Sequence, residues 1–304
     1  MKFAEIAVAE EVNVVLKVPE GTVYSFFDSP YIGHRNAAAV DIYFKDREAV
    51  LPVDEAVVKE IRWFNSPKYR SDGLEKEPLI VLKIRDGVVL KTLHVKPKVN
   101  VGERLHLGDY IGECIVSGYL CPWSGIHAHI EVRSEKDPYR ARGAFRLNIE
   151  PTIKKVLAEI DNTSFPTVSE EPLVFNVVSV DKHYMWVKFK NNVGAFTALT
   201  LVSESNEVCA MDAGIPYYGI GGCLGKSLKQ GERLLASKNN VVGLVTKSYE
   251  QASLFTSIAE TFVGKVKVRG IGTYIGTNLA KIVFLNKKPW REGDEEELIF
   301  KQIM

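Results

Sequence analysis

Residues 124–133 read SGIHAHIEVR, and from residue 126 onward apolar and polar side chains alternate without a break. A period of two fits a β-strand and no helix, because side chains at i and i+2 share one strand face. His127, His129, Glu131 and Arg133 therefore point one way, and Ile126, Ala128, Ile130 and Val132 point the other way, into a core. A half-exposed strand can carry polar residues for solubility alone, but lysine, threonine or glutamate are the commoner choices for that. Two imidazoles on adjacent same-face positions stand close enough to serve one metal ion, or one metal ion and one reacting water.

Two further segments carry the same kind of chemistry. In residues 34–44, HRNAAAVDIYF, Val40, Ile42 and Phe44 alternate with Asp41 and Tyr43. Asp41 falls on the polar face of an otherwise buried strand, where an unpaired carboxylate is costly and a cation offsets the cost. His34 stands in the approach to that strand, near enough to fold back beside Asp41. One aspartate and two histidines leave a fourth position open on a tetrahedral zinc ion, as a catalytic zinc requires. In residues 88–95, VVLKTLHV, Leu93 and Val95 face one way while Thr92 and His94 face the other. His94 is then a second acid/base or hydrogen-bond donor at the same open face. His106 lies in a polar turn and reads as a surface residue.

A length of 304 residues suggests two domains. Lys and Arg number 39 against 38 Asp and Glu, so net charge is no reason to expect nucleic acid as a partner. Apolar runs are far shorter than the roughly 20 residues that span a bilayer, so no membrane association is expected. Residues 1–21 are apolar but broken by Glu5, Glu10 and Glu11, unlike a secretory signal. Cys114, Cys121, Cys209 and Cys223 show no C-x-x-C spacing, and reduced thiols in a cytoplasmic protein are the expectation.

The chain reads as mainly β: one β domain over residues 1–160, a polar linker over 161–172, and a second β-rich α+β domain over 173–304. Residues 53–61 fit a strand or a short helix. Residues 151–160 place Ile153, Val156, Leu157 and Ile160 on one helical face, with Pro151 at the helix start. A second helix is expected over 248–262. Residues 214–225, GIPYYGIGGCLG, miss the G-x-G-x-x-G spacing by one position and read as a turn-rich loop. Asp212, Tyr217, Tyr218 and Cys223 make that loop the best place in the second domain for a ligand or a protein partner.

Over about residues 30–133 the sequence resembles the lysostaphin-type zinc metallopeptidase family. The resemblance lies in His34-x6-Asp41, in the lone His94 of Thr92-Leu93-His94-Val95, and in His127-Ala128-His129 continuing as Ile130-Glu131-Val132. Between them, Asp86-Gly87, Val101-Gly102, Gly108-Asp109, Ile111-Gly112 and Ser124-Gly125 echo the family's glycine-punctuated turns. The resemblance implies zinc held by His34, Asp41 and His129, and a catalytic pair of His94 and His127. It also implies an antiparallel β sandwich or barrel of the duplicated hybrid motif type, and a peptide or peptide-like substrate.

Many members carry the first histidine four positions before the aspartate, where this chain has Ala37. Members are mostly exported and cut bacterial wall cross-links, whereas residues 1–21 do not resemble an export signal. The implied chemistry is a zinc-dependent endopeptidase-like hydrolase. His127 would accept or relay a water's proton, His94 would hydrogen-bond the oxyanion, and Glu131 would orient a ligand histidine. Tyr119 and Trp123 would line a groove or pack at its rim. Two other readings share the fold: a non-catalytic metal- or ligand-binding module, and a phosphohistidine carrier. Asp41 separates them, since zinc needs the carboxylate and a phosphohistidine would be repelled by it.

Overall fold

The computed structural model describes residues 2–161, 172–190, 194–238, 240–286 and 290–303. The chain forms two compact units, one of residues 1–24 and 31–152, the other of residues 25–30 and 153–304. The second unit is therefore not one continuous stretch of chain. The run expected as a linker, 161–172, lies outside the described residues apart from its two ends. Among the described residues no helix is long and apolar enough to cross a membrane.

The first unit is built on a seven-stranded sheet, antiparallel at each of the five pairings from Arg104–His106 to Val40–Tyr43. Its strands run, in spatial order, Arg104–His106, Glu55–Asn65, Lys76–Arg85, Val88–Leu93, Ala128–Ser134, Val40–Tyr43 and Val23–Ser25. Glu48–Val50, Tyr110–Cys114 and Val95–Pro97 make a separate three-stranded sheet. The ambiguous 53–61 segment is strand, because Glu55–Asn65 pairs along its length with Lys76–Arg85 and gains a full ladder there. In the central strand Ala128–Ser134 the expected apolar face holds: Ala128 opposes Ile42, Ile130 opposes Val40, and Val132 opposes Leu90. All six are 0% exposed. The helix expected at 151–160 is Glu150–Asp161, with Ile153, Val156 and Ile160 buried.

In the second unit six strands close a barrel. They are Thr200–Ser203, Arg233–Ser237, Asn240–Ser248, Ala252–Ser257, Ile220–Leu224 and Val208–Ile215, the last pairing back onto the first. The helix expected over 248–262 is absent; Ala252–Ser257 and Ala259–Val263 are strands. Leu254, Ile258 and Phe262 recur every four residues and imitate a helical face. Ile258, however, occupies the single-residue break between the two strands.

The 214–225 run is not a loop either. It is the end of Val208–Ile215, a turn, and Ile220–Leu224. Asp212 is interior, not surface. Its Oδ1 accepts from Ser25 Oγ at 2.6 Å, and its Oδ2 accepts from the Phe26 and Phe27 amides at 2.7 and 3.2 Å. Phe26 and Phe27 are both 1% exposed, so residues 25–28 are built into this unit's interior. Burial pushes the Asp212 pKa up to about 8, against the three donors that favour its anion. The expectation of four reduced thiols also fails. Cys209 and Cys223 are joined in a disulfide with Cα atoms 5.6 Å apart, and Cys114 and Cys121 take no part in it. With that, the thiol argument for a cytoplasmic protein is removed.

Candidate metal centre

Strand register brings the first two residues together. His129 sits directly opposite Asp41, so their side chains share one face of the sheet. His129 Nδ1 lies 2.9 Å from Asp41 Oδ1. His34 Nε2 lies 3.2 Å from that same oxygen and 3.2 Å from His129 Nδ1. All three side chains are buried. Tetrahedral zinc with bonds of about 2.0–2.1 Å holds its ligand atoms about 3.3–3.4 Å apart, close to the separations found here. The donor chemistry fits as well: two imidazole nitrogens and one carboxylate oxygen, with a fourth direction left open. Among the described residues, these three form a group able to hold a metal ion.

His34 reaches the site through a local chain reversal. Residues Ile32–Arg35 form one helical turn, closed by bonds from the Ala37 amide to the His34 carbonyl (2.9 Å) and from the Ala38 amide to the Gly33 carbonyl (2.9 Å). This is a Schellman closure with Ala37 at the left-handed position, φ 52°. The turn takes up the longer spacing between His34 and Asp41 and delivers the imidazole onto the sheet face. Gly33 permits the approach, since a Cβ there would lie 3.0 Å from Ala39 Cβ and 3.3 Å from Glu131 Oε1.

The polar strand face is buried too, which the alternation did not reveal. Glu131 Oε1 accepts from His129 Nε2 at 2.9 Å, which turns Nδ1 toward Asp41 as the nitrogen able to take a metal ion. Behind it, Lys91 Nζ lies 3.3 Å from Glu131 Oε1, and Arg133 Nη1 lies 2.5 Å from Oε2. Arg133 also donates to the backbone carbonyls of Asp137 and Arg142. Burial opposes charge on His129, but the carboxylates of Asp41 and Glu131 outweigh it and raise its pKa to about 9. Burial likewise opposes the charge of Glu131, yet His129, Lys91 and Arg133 hold it at about 2. Asp41 is held well below the usual carboxylate range, because His127 and His34 overcome its desolvation. The two carboxylates thus make the surroundings of His129 favourable to positive charge.

His94 and His127 flank this centre. The ring centroids of His94 and His127 are 5.2 Å apart, and those of His94 and His129 are 6.2 Å apart. His127 Nδ1 bonds the Gly125 carbonyl at 2.9 Å, and its Nε2 lies 3.4 Å from Asp41 Oδ2. Burial is the main cause that lowers the His127 pKa to about 4, so the ring is neutral near pH 7. The expected facing of His94 needs correction. Leu93, not Thr92, lies opposite His129 and shares its face, and unbroken alternation would turn His94 away. The strand stops at Leu93, and His94 takes φ 64°, a left-handed kink that swings its ring back to the site.

Sequence reading missed the group that fixes this ring. Glu77, 0% exposed, accepts from the His94 amide (2.7 Å), from His94 Nδ1 (2.8 Å) and from Ser117 Oγ (2.5 Å). The available signal was Glu77-Pro78 opening the apolar run 79–82. Lys91 was also missed, although a lysine inside VVLKTL is out of place in an apolar strand. His106 is exposed, as read.

A family model described as "Domain of unknown function (DUF8155) N-terminal domain" matches residues 14–149. Comparison with curated proteins gives no match. Among solved structures, the chain is similar to the NMR solution structure of lysostaphin, at 13% identity and a TM-score of 0.26, over 73% of this chain and 80% of that one. It is also similar to the antimicrobial peptidase lysostaphin from Staphylococcus simulans, at 12% identity and a TM-score of 0.27, over 90% and 94%. At these scores the likeness is loose, and the site's own residues carry the functional conclusion.

Proposed function

We propose that this protein is a zinc-dependent hydrolase acting on peptide bonds. The observation that carries this reading is the convergence of His34 Nε2, Asp41 Oδ1 and His129 Nδ1 within 2.9–3.2 Å of one another, beside two more imidazoles. His34, Asp41 and His129 would hold the ion, and Glu131 would keep His129 in the tautomer that presents Nδ1 to it. The ion supplies Lewis acidity, acidifying a water and polarising a carbonyl. His127, neutral and anchored through Nδ1, offers Nε2 as the acceptor for the water's proton. His94, clamped by Glu77, presents Nε2 toward the reacting group to hydrogen-bond a developing oxyanion. The peptide as substrate class rests on the motif resemblance.

A phosphohistidine carrier fits less well, because the Asp41 carboxylate stands 3.4 Å from His127 Nε2 and would repel a phosphoryl group there. The test is metal content with activity. Protein refolded in zinc should hold about one ion per chain, and His129→Ala should hold none. His127→Ala should keep the ion and lose about 10²–10³-fold in turnover, the usual contribution of one base or oxyanion donor. Zinc without turnover on any peptide would mean a binding module. Labelling of His94 or His127 by a phosphodonor, indifferent to zinc, would mean a carrier.

A further inference from the structure

Beside the three-ligand cluster the first unit has a cavity of about 510 Å³, within the range of small-ligand and substrate pockets. His94, His129 and Glu131 form part of its wall, so it opens onto the proposed reaction centre. Apart from these, Lys91 and Arg62, its lining is apolar or aromatic. Leu79 and Leu93, with Phe64, belong to one hydrophobic cluster and contribute to the wall. Tyr119 bridges this cluster to the site, its ring 6.3 Å from Phe64 and 6.3 Å from His94. Five exposed large aromatics occur among the described residues, and three of them, Tyr31, Trp63 and Tyr139, converge on this one cavity. Solvent-facing rings gathered around a concavity are a binding feature, since scattered surface aromatics have no reason to meet.

The charges of the lining are already answered by partners. Lys91 pairs with Glu131, and Arg62 pairs with Glu60 while lying 4.2 Å over the Tyr139 ring. A charged group entering the cavity would lose water and find no unpartnered opposite charge. A bulky uncharged side chain would bury apolar surface against the rings. We infer that this cavity is a specificity pocket for a large apolar or aromatic residue next to the bond cleaved. This inference rests on the hydrolase reading above, and binding separates the two.

The test uses the zinc-loaded full chain and five blocked hexapeptides that differ at one position: Phe, Leu, Gly, Glu or Lys. Binding is measured by calorimetry on His127→Ala, and hydrolysis on the wild type. The Phe and Leu peptides should bind at least about 10-fold more tightly than the Gly peptide, and the Glu and Lys peptides no better than Gly. Trp63→Ala, at an exposed position that tolerates truncation, should bring the Phe-to-Gly ratio toward one, and Trp63→Phe should restore it. Equal binding across the series, preference for Gly or for a charged residue, or a ratio untouched by Trp63→Ala overturns the inference. Aromatic preference in binding without hydrolysis of any peptide would support the pocket and overturn the hydrolase reading.

Discussion

At the scale of single residues, the proposed site depends on groups beyond its three candidate ligands. Glu131 joins His129, Lys91 and Arg133, and a carboxylate behind a ligand histidine both orients the ring and raises its basicity. Glu131→Gln keeps the shape and weakens that support. Its zinc affinity, measured by chelator competition, should fall about 10–100-fold while saturation still reaches about one ion per chain. An unchanged affinity would show that Glu131 serves only to neutralise Lys91 and Arg133.

At the scale of elements, two short-range devices decide what the strands can present. The one-turn helix Ile32–Arg35 and its left-handed closure at Ala37 set the position of His34. A β-branched residue is strained at positive φ. Ala37→Val should therefore cost about 1–2 kcal/mol in urea unfolding and loosen zinc, whereas Ala37→Gly should retain both. In the second unit the disulfide joins residues of two neighbouring barrel strands, 14 positions apart in sequence. Thiol titration of the denatured, unreduced chain should find two reactive cysteines, rising to four after reduction. A loop of about 15 residues predicts a loss of about 3 kcal/mol from the reduced barrel. Four thiols before reduction would remove the bond.

At the scale of the whole molecule, each unit is held by non-local contacts, and the second draws residues 25–30 from the far end of the chain. Asp212 is the anchor for that segment, through Ser25, Phe26 and Phe27. The carboxyl titrates at 3.8 in its ordinary state and at about 8 here, so the folded chain keeps a proton that the unfolded chain has lost. Stability from this group is complete below about pH 4 and is lost as pH rises through about 8. Urea midpoints between pH 5 and 8 should fall more steeply for the wild type than for Asp212→Asn. Parallel curves would mean that the three donors hold the anion at no cost.

Local pattern alone determined the strand at 128–134, the apolar face it buries and the helix at 150–161, and it singled out Asp41 and His129 as polar residues on otherwise apolar strands. Each of these depends on the period of side chains along a few residues, which is written in the order of the chain. Tertiary structure alone decided that the polar face is buried as well, because Arg133 and Lys91 bond there to backbone carbonyls of residues 137, 140 and 142, and His34 packs beside His129. It alone brought in Glu77, whose partner His94 is 17 positions away, and turned His94 toward the site through a backbone kink that no alternation encodes. The helix misread at 248–262 has the same origin. A four-residue recurrence of apolar side chains is neutral between helix and strand until neighbouring strands supply a ladder of hydrogen bonds, and those neighbours lie elsewhere in the chain.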